Sequence, residues 1–430
     1  MMRESNHQWA QAVMPQYIES SRLNFYQHMA TKGTAQEIPI LFPHAFIKEA
    51  AARGLLGMVI PERYGGLGLI PIEQVTAFEP IPQVDAGGGL KILVQNTLGA
   101  YPIIKRGTDA QKEKYLPSMA SGELLGCIGL SEPGIGSDLM SLRCRAEKVD
   151  GGWMINGEKI WITSAEAAGI MVLAARTGTQ ESRGEGISGF IIPLDHQSPQ
   201  LDIHVIPKHG QHTSQFYTVA FKDYFVSDKE DPLLGDLNGG RELFRNTLTA
   251  SRIWIATQGT GVALHAYEMA VHHANELEMY GRKLVDLPLM KRNLDHMKRE
   301  IDIARHLVRR AAWAEQQEDA HAHVWASLAK VVAGELAFLA SHDAELIYGA
   351  TGYIMESEPG YIATDAEPIR IYEGAREVQV NLLLKYLTEE QLRLPWPRAD
   401  HPVKPIEELP TADEVIATIE SWEIKSRNAK

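Results

Sequence analysis

Several short stretches of this chain put reactive or ligand-friendly side chains at close spacing. Gly126 to Asp138 reads GCIGLSEPGIGSD. Its glycines let the backbone approach a ligand closely, and Ser131 and Ser137 add hydroxyl and amide donors beside Leu130 and Gly136. Further on, Asn156 to Ser164 reads NGEKIWITS and brings Trp161 close to Thr163. An indole face next to a hydroxyl suits a flat ligand that hydrogen-bonds at its edge. Taken alone, Trp161 reads as core and the glycine run as a plain loop. Ile371-Tyr372-Glu373-Gly374 sets a carboxylate between an aromatic ring and a glycine; by itself it reads as a helix-end glutamate. Lys91 follows Gly87-Gly88-Gly89-Leu90 and either pairs with a polar ligand group or points to solvent. His209-Gly210-Gln211-His212 offers two imidazoles with no third ligand nearby, so no metal site is expected there.

These stretches need elements that hold them, and 430 residues are too many for one ordinary core. Residues 1–125 read as short helices and loops, with a core-like segment from Gly54 to Ile60 and a helical stretch from Ala110 to Leu116. Over 126–238 the texture changes to β-branched and aromatic runs punctuated by Gly, Pro and Asp, such as Ile170 to Ala175 and Gly189 to Pro193. That is the pattern of a small antiparallel sheet or barrel. Over 239–392 apolar residues recur at helical spacing in four stripes: Val262 to Leu277, Met290 to Val308, Val324 to Leu339, and Val378 to Tyr386. Four such stripes predict a C-terminal four-helix bundle. Residues 393–430 form a proline-rich extension with a short helix expected from Thr411 to Trp422. The expected class is therefore mostly α with a central β domain.

Composition narrows the function. A formal charge of −13, from 42 Lys and Arg against 55 Asp and Glu, argues against nucleic acid. The two cysteines, Cys127 and Cys144, are too few for a disulfide framework and lack metal-site spacing. With no signal-like segment and no run of about 20 apolar residues, a cytoplasmic protein without a membrane span is expected.

Together, the Gly126–Asp138 and Asn156–Ser164 stretches resemble the two flavin-contacting signatures of the acyl-CoA dehydrogenase family. The likeness extends over roughly residues 40 to 390. It includes Gly57 to Gly68, Leu116-Pro117, Gly122-Glu123, Leu233-Leu234-Gly235 and Ser251-Arg252. It implies an FAD enzyme that removes an α-proton and a β-hydride from an acyl-CoA or acyl-carrier thioester. Leu130, Ser131, Gly136, Ser137, Trp161, Thr163 and Tyr372 would contact the cofactor. Ser137, Arg252, Gly374 and Lys91 would contact the substrate, Arg252 at the CoA nucleotide end and Lys91 at a carboxylated or otherwise polar acyl tail. Ile371-Tyr372-Glu373-Gly374 is similar to the family motif that carries the catalytic carboxylate. A thioester α-carbon is a very weak acid, so its base must be close, desolvated and aimed, and burial raises a carboxylate's pKa. The resemblance also assigns the thioester oxygen to the Glu373 amide N–H. Some relatives place the base just before the arginine matched by Arg252; here that residue is Ser251, which leaves Glu373 as the base.

Three positions depart from the family pattern. Leu277, Leu346 and Ala375 stand where polar cofactor contacts are usual, and each lost charged hydrogen bond would typically remove about 1.5–3 kcal/mol. Arg282, Arg376 and Gln379 are the polar residues nearby that could substitute for them. Two alternatives therefore stand beside the dehydrogenase: an oxidase, monooxygenase or lyase on the same fold, and a flavin-poor, non-catalytic paralogue. The resemblance further implies an electron-transfer flavoprotein as acceptor and a homodimer or homotetramer.

Overall fold

The computed structural model describes residues 2–15, 44–354 and 357–388. Met1–Leu383 form one compact unit, and a second begins at Leu384. The proline-rich extension and its expected helix lie outside the described residues.

The N-terminal part is helical: α1 (residues 2–15), α2 (His44–Ala52), α3 (Pro71–Phe78), α4 (Pro80–Val84), α5 (Ala86–Leu93), α6 (Tyr101–Arg106) and α7 (Asp109–Ser121). A π-helical turn, Val94–Ala100, joins α5 to α6. Local chemistry sets the helix starts. Pro71 and Pro80 open α3 and α4, where a missing N–H costs nothing. The Asp85 carboxylate accepts from the Gly87 and Gly88 amides and starts α5. At α7, Thr108 and Gln111 cap each other reciprocally at 3.1 and 2.9 Å.

An open sheet follows, made of β1 (Gly126–Gly129), β2 (Arg145–Val149), β3 (Gly152–Thr163), β4 (Ile170–Arg176), β5 (Ile187–Pro193), β6 (Leu201–Ile206), β7 (Phe216–Ser227) and β8 (Leu233–Leu234). Its order is β6-β7-β3-β2-β4-β5-β8, with β1 pairing parallel to β4. Most other pairings are antiparallel, as the alternating texture predicts. β4 is buried along its whole length, which explains its unbroken apolar run. Its alternate residues serve two cores. Met171, Leu173 and Ala175 pack with Phe190, Tyr217 and Tyr224, while Ile170, Val172 and Ala174 pack with Leu116 and Met119 of α7.

The C-terminal part contains α8 (Gly240–Glu276), a two-stranded hairpin of β9 (Glu278–Met279) and β10 (Arg282–Lys283), α9 (Pro288–Gln316), α10 (Ala322–Tyr348), α11 (Glu358–Ala366) and α12 (Arg376–Thr388). Three of the four apolar stripes fall on the long helices α8, α9 and α10, and the fourth on the shorter α12. Sequence periodicity did not anticipate α11. Among the described residues, Ala322–Tyr353 is the one helix long and apolar enough to cross a membrane, and most of its apolar stretch is buried inside the protein, as in a core helix.

One buried cluster ties the N-terminal helices to the long ones. Glu79, between α3 and α4, accepts two hydrogen bonds from Arg305 of α9, both at 2.8 Å, and one from Thr260 of α8 at 3.1 Å. Removing one partner of a buried ion pair leaves the other charge uncompensated. Glu79→Ala is therefore expected to cost about 3–5 kcal/mol, read as an earlier urea unfolding transition; an unchanged transition would contradict this role.

Candidate active site

The strand that carries Trp161 is not regular. After an earlier irregularity between Ile155 and Gly157, β3 and β7 pair as far as Lys159 and resume at Ile162, so Ile160 and Trp161 form a bulge. A bulge re-aims a side chain. Trp161 takes φ 65°, unusual for a bulky residue, and its indole is 55% exposed. Its ring meets Phe216 edge-on at 6.5 Å. Beside it, the Ser131 carbonyl accepts from the Ile160 amide at 3.0 Å, which binds the glycine loop to the bulge. A Cβ on Gly134 or Gly136 would meet nothing within 4 Å, so this loop faces open space. An exposed indole, exposed Ser137 and an open glycine backbone make a face that a flat, polar-edged group such as a flavin would cover. These residues fit that cofactor.

A buried ion pair underlies this face. Lys159 Nζ donates to Glu132 Oε1 at 2.8 Å and to the Leu130 carbonyl at 3.0 Å. Glu132 also accepts from the Arg143 and Cys144 amides at 2.7 and 2.9 Å. Lys159 is fully buried. The pair thus fixes the backbone at Leu130 and Ser131, where the resemblance places cofactor contacts. In the sequence Glu132 and Lys159 belong to two separate motifs, and only the fold pairs them.

The second half of the site is the turn before α12. Glu373 adopts φ 55° and Gly374 φ 103°. At φ 103° a side chain would be strained, which favours glycine at 374. Three side chains hold the turn. Ser251 Oγ donates to Glu373 Oε2 at 2.6 Å, and Arg252 Nε donates to the Glu373 carbonyl at 3.0 Å. Lys330 Nζ, on α10, donates to the Gly374 and Arg370 carbonyls at 2.6 and 3.1 Å. Burial raises the Glu373 pKa, opposed by the Ser251 hydrogen bond and by the Arg252 and Lys330 charges. Burial also lowers Lys330 to about 8, against the pull of Glu373. The Glu373 amide makes no hydrogen bond among the described residues.

The two halves are linked through neighbours of both. Tyr372 donates to Gln258 Oε1 at 2.8 Å and accepts from Gln211 Nε2 at 3.1 Å. Gln258 lies two helical turns beyond Ser251, on the same face of α8. Lys208 donates to the Gln211 carbonyl and sits 5.4 Å above the Phe216 ring, against which Trp161 rests. The loop at 209–212 thus links Trp161 to Tyr372. Lys91 is buried, not solvent-facing, with Nζ 3.3 Å from Ser164 Oγ, one residue past Thr163.

Three domain profiles match in order: "Acyl-CoA dehydrogenase, N-terminal domain" over residues 7–123, "middle domain" over 127–224 and "C-terminal domain" over 238–388. The chain belongs to the acyl-CoA dehydrogenase family. It is similar to an acyl-CoA dehydrogenase of Bacillus subtilis, 35% identical over 80% of this chain and 90% of that protein. It also resembles (2S)-methylsuccinyl-CoA dehydrogenase of Cereibacter sphaeroides, 32% identical over 81% of this chain, and spans 64% of that relative's length. The butyryl-CoA dehydrogenase structure from Megasphaera elsdenii superposes with a TM-score of 0.78, at 30% identity, over 87% of this chain and 97% of that one.

The three departures from the family pattern sit on this frame as follows. Leu277 is 36% and Leu346 78% exposed, and Ala375 is half-buried beside the Gly374 turn. Two of the nearby polar residues are engaged elsewhere: Arg376 Nε pairs with Glu335 at 2.9 Å, and Gln379 is buried against Gly374. Arg282 is exposed on the hairpin.

Lys330, absent from the sequence expectations, both clamps the turn and biases its carboxylate. Lys330→Met is expected to lower turnover of acyl-CoA at least about tenfold, since a misplaced reacting group can cost a hundredfold. It should also displace the acid limb of the pH profile upward, because a cation that lowers the Glu373 pKa is gone. A limb that stays in place would contradict the coupling.

Proposed function

We propose that this protein dehydrogenates an acyl-CoA thioester between its α and β carbons, with Glu373 taking the α-proton. The observation that carries this reading is a half-buried carboxyl on a left-handed turn, bonded by Ser251 while Arg252 and Lys330 hold the turn's backbone carbonyls. A weak carbon acid needs a base that is dry, close and fixed in direction. When bound, FAD supplies the acceptor for the β-hydride.

Each half of the site has a task in this reading. Leu130, Ser131, Gly136, Ser137, Trp161, Thr163 and Tyr372 would hold the flavin, the indole covering its ring and the loop amides and hydroxyls meeting its edge. The Glu373 amide would receive the thioester oxygen, stabilising charge as the α-proton leaves. Arg252, anchored by Nε to the Glu373 carbonyl, would present the rest of its guanidinium to the phosphates of CoA. Ser137 and Gly374 would flank the acyl group. Lys91, buried beside Ser164, would meet its tail. On the family likeness we assign the electrons to an electron-transfer flavoprotein, the assembly to a homodimer or homotetramer, and the setting to the cytoplasm.

Two variants test the base. Glu373→Gln should retain yellow flavin that acyl-CoA no longer bleaches under anaerobic conditions; bleaching at the native rate would overturn the assignment. The second is an effect of sign. Glu373 acts only when ionised and its pKa is raised, so activity must rise with pH through a value above the ordinary carboxylate range. Ser251→Ala removes a hydrogen bond that lowers that pKa, and the acid limb should move to still higher pH. A limb that falls or stays would contradict the role given to Ser251.

A further inference from the structure

A cavity of about 260 Å³ lies between α3, α6, α8 and the C-terminal end of α9. Its floor is formed by Ala250, Ile253 and Trp254 of α8, all three buried. At spacings of three and four residues these share one face of the helix. Arg252, which binds the Glu373 turn, projects from the opposite face. The cavity is therefore separate from the candidate active site, and dehydrogenation gives it no task.

The donors of two lining residues are already spent. The Tyr101 hydroxyl donates to Glu315 Oε1 at 2.7 Å. The charges of both Glu315 and Glu318 reach that hydroxyl and add to burial in raising its pKa. Gln74 is engaged at both ends of its amide: Nε2 donates to the Leu69 carbonyl at 2.6 Å, and Oε1 accepts from Trp254 Nε1 at 3.3 Å. The unmatched group is an acceptor. Gln316 Oε1 is buried and makes no hydrogen bond among the described residues, a cost that a ligand donor would remove.

Charge points the same way. Among the lining residues, the carboxylates of Glu315 and Glu318 face a single ammonium, that of Lys105, which is exposed at the mouth and 5.5 Å from the Tyr101 ring centroid. An acidic ligand would meet two carboxylates, and a hydrocarbon would leave the Gln316 acceptor unmet. A cation with an N–H donor satisfies both, and the Tyr101 and Trp254 rings favour it further.

We propose that this cavity binds a small organic cation, an ammonium group on an apolar body. Glu315, Glu318 and Gln316 receive the ammonium, and Ile253 and Trp254 lie under the body. A cavity of about 150 Å³ takes a benzene ring, so 260 Å³ has room for a ring with a short aminoalkyl arm. The inference does not rest on the dehydrogenation reading.

The test uses full-length, FAD-loaded protein and calorimetry with phenylethylamine, the neutral phenylethanol and the acid phenylpropionate. The amine is expected to bind at least about tenfold more tightly than the alcohol or the acid, as a charged hydrogen bond would provide, and a saturating acyl-CoA should not displace it. Glu315→Gln combined with Glu318→Gln, both nearly isosteric, should abolish the preference for the amine while the protein stays yellow and its unfolding transition stays in place. Gln316→Leu should weaken the amine and leave the acid unchanged. Equal binding of the three compounds, binding of none, displacement of the amine by acyl-CoA, or a preference that survives the double variant overturns the proposal.

Discussion

A carboxylate kept out of water is unstable unless something nearby favours its charge, and the Glu373 turn is built around that conflict. Burial pushes the pKa up, whereas a serine hydroxyl, a guanidinium and an ammonium group push it back. The net effect leaves Glu373 more basic than an ordinary carboxylate without making ionisation prohibitive. The same groups also do mechanical work. Arg252 and Lys330 bind three carbonyls of the segment Arg370 to Gly374, and this holds a left-handed glutamate that would otherwise relax.

Everything else in the site depends on elements that converge on this turn. Ser251, Arg252 and Gln258 come from one face region of α8, and Lys330 from the neighbouring core helix α10. The Glu79–Arg305 cluster keeps the N-terminal helices packed against α8 and α9. In the sheet, a bulge turns Trp161 outward while the Glu132–Lys159 pair fixes the loop below it. Two buried ion clusters and one strained turn thus carry the geometry. The apolar cores supply the frame around them.

Much of this was legible from residues alone. The order of helices, sheet and helices followed from a change in hydrophobic period, and Trp161, Glu373 and Gly374 stood out because their motifs have rigid spacing. What escaped were partners distant in sequence. Ser251 cannot act as a base, yet it donates the shortest of the hydrogen bonds that hold Glu373. Lys330 sits in an apolar helical stripe, where a lysine reads as a boundary residue until its target carbonyls, forty residues away, are folded over it. Lys91 reads from the sequence as either solvent-facing or ligand-pairing; the structure buries it against Ser164 and Glu166, and no local pattern announces that pairing. The histidine-flanked loop at 209–212 positions Tyr372 through Gln211, a contact that its sequence does not announce.

The most direct measurement isolates proton removal from hydride departure. A CoA thioester whose β-carbon bears no hydrogen can lose only its α-proton, and exchange of that proton with deuterated water is followed by magnetic resonance. Wild-type protein should exchange it, and Glu373→Gln should be slower by orders of magnitude, with Ser251→Ala intermediate. Equal exchange in wild type and Glu373→Gln would contradict the account at its centre.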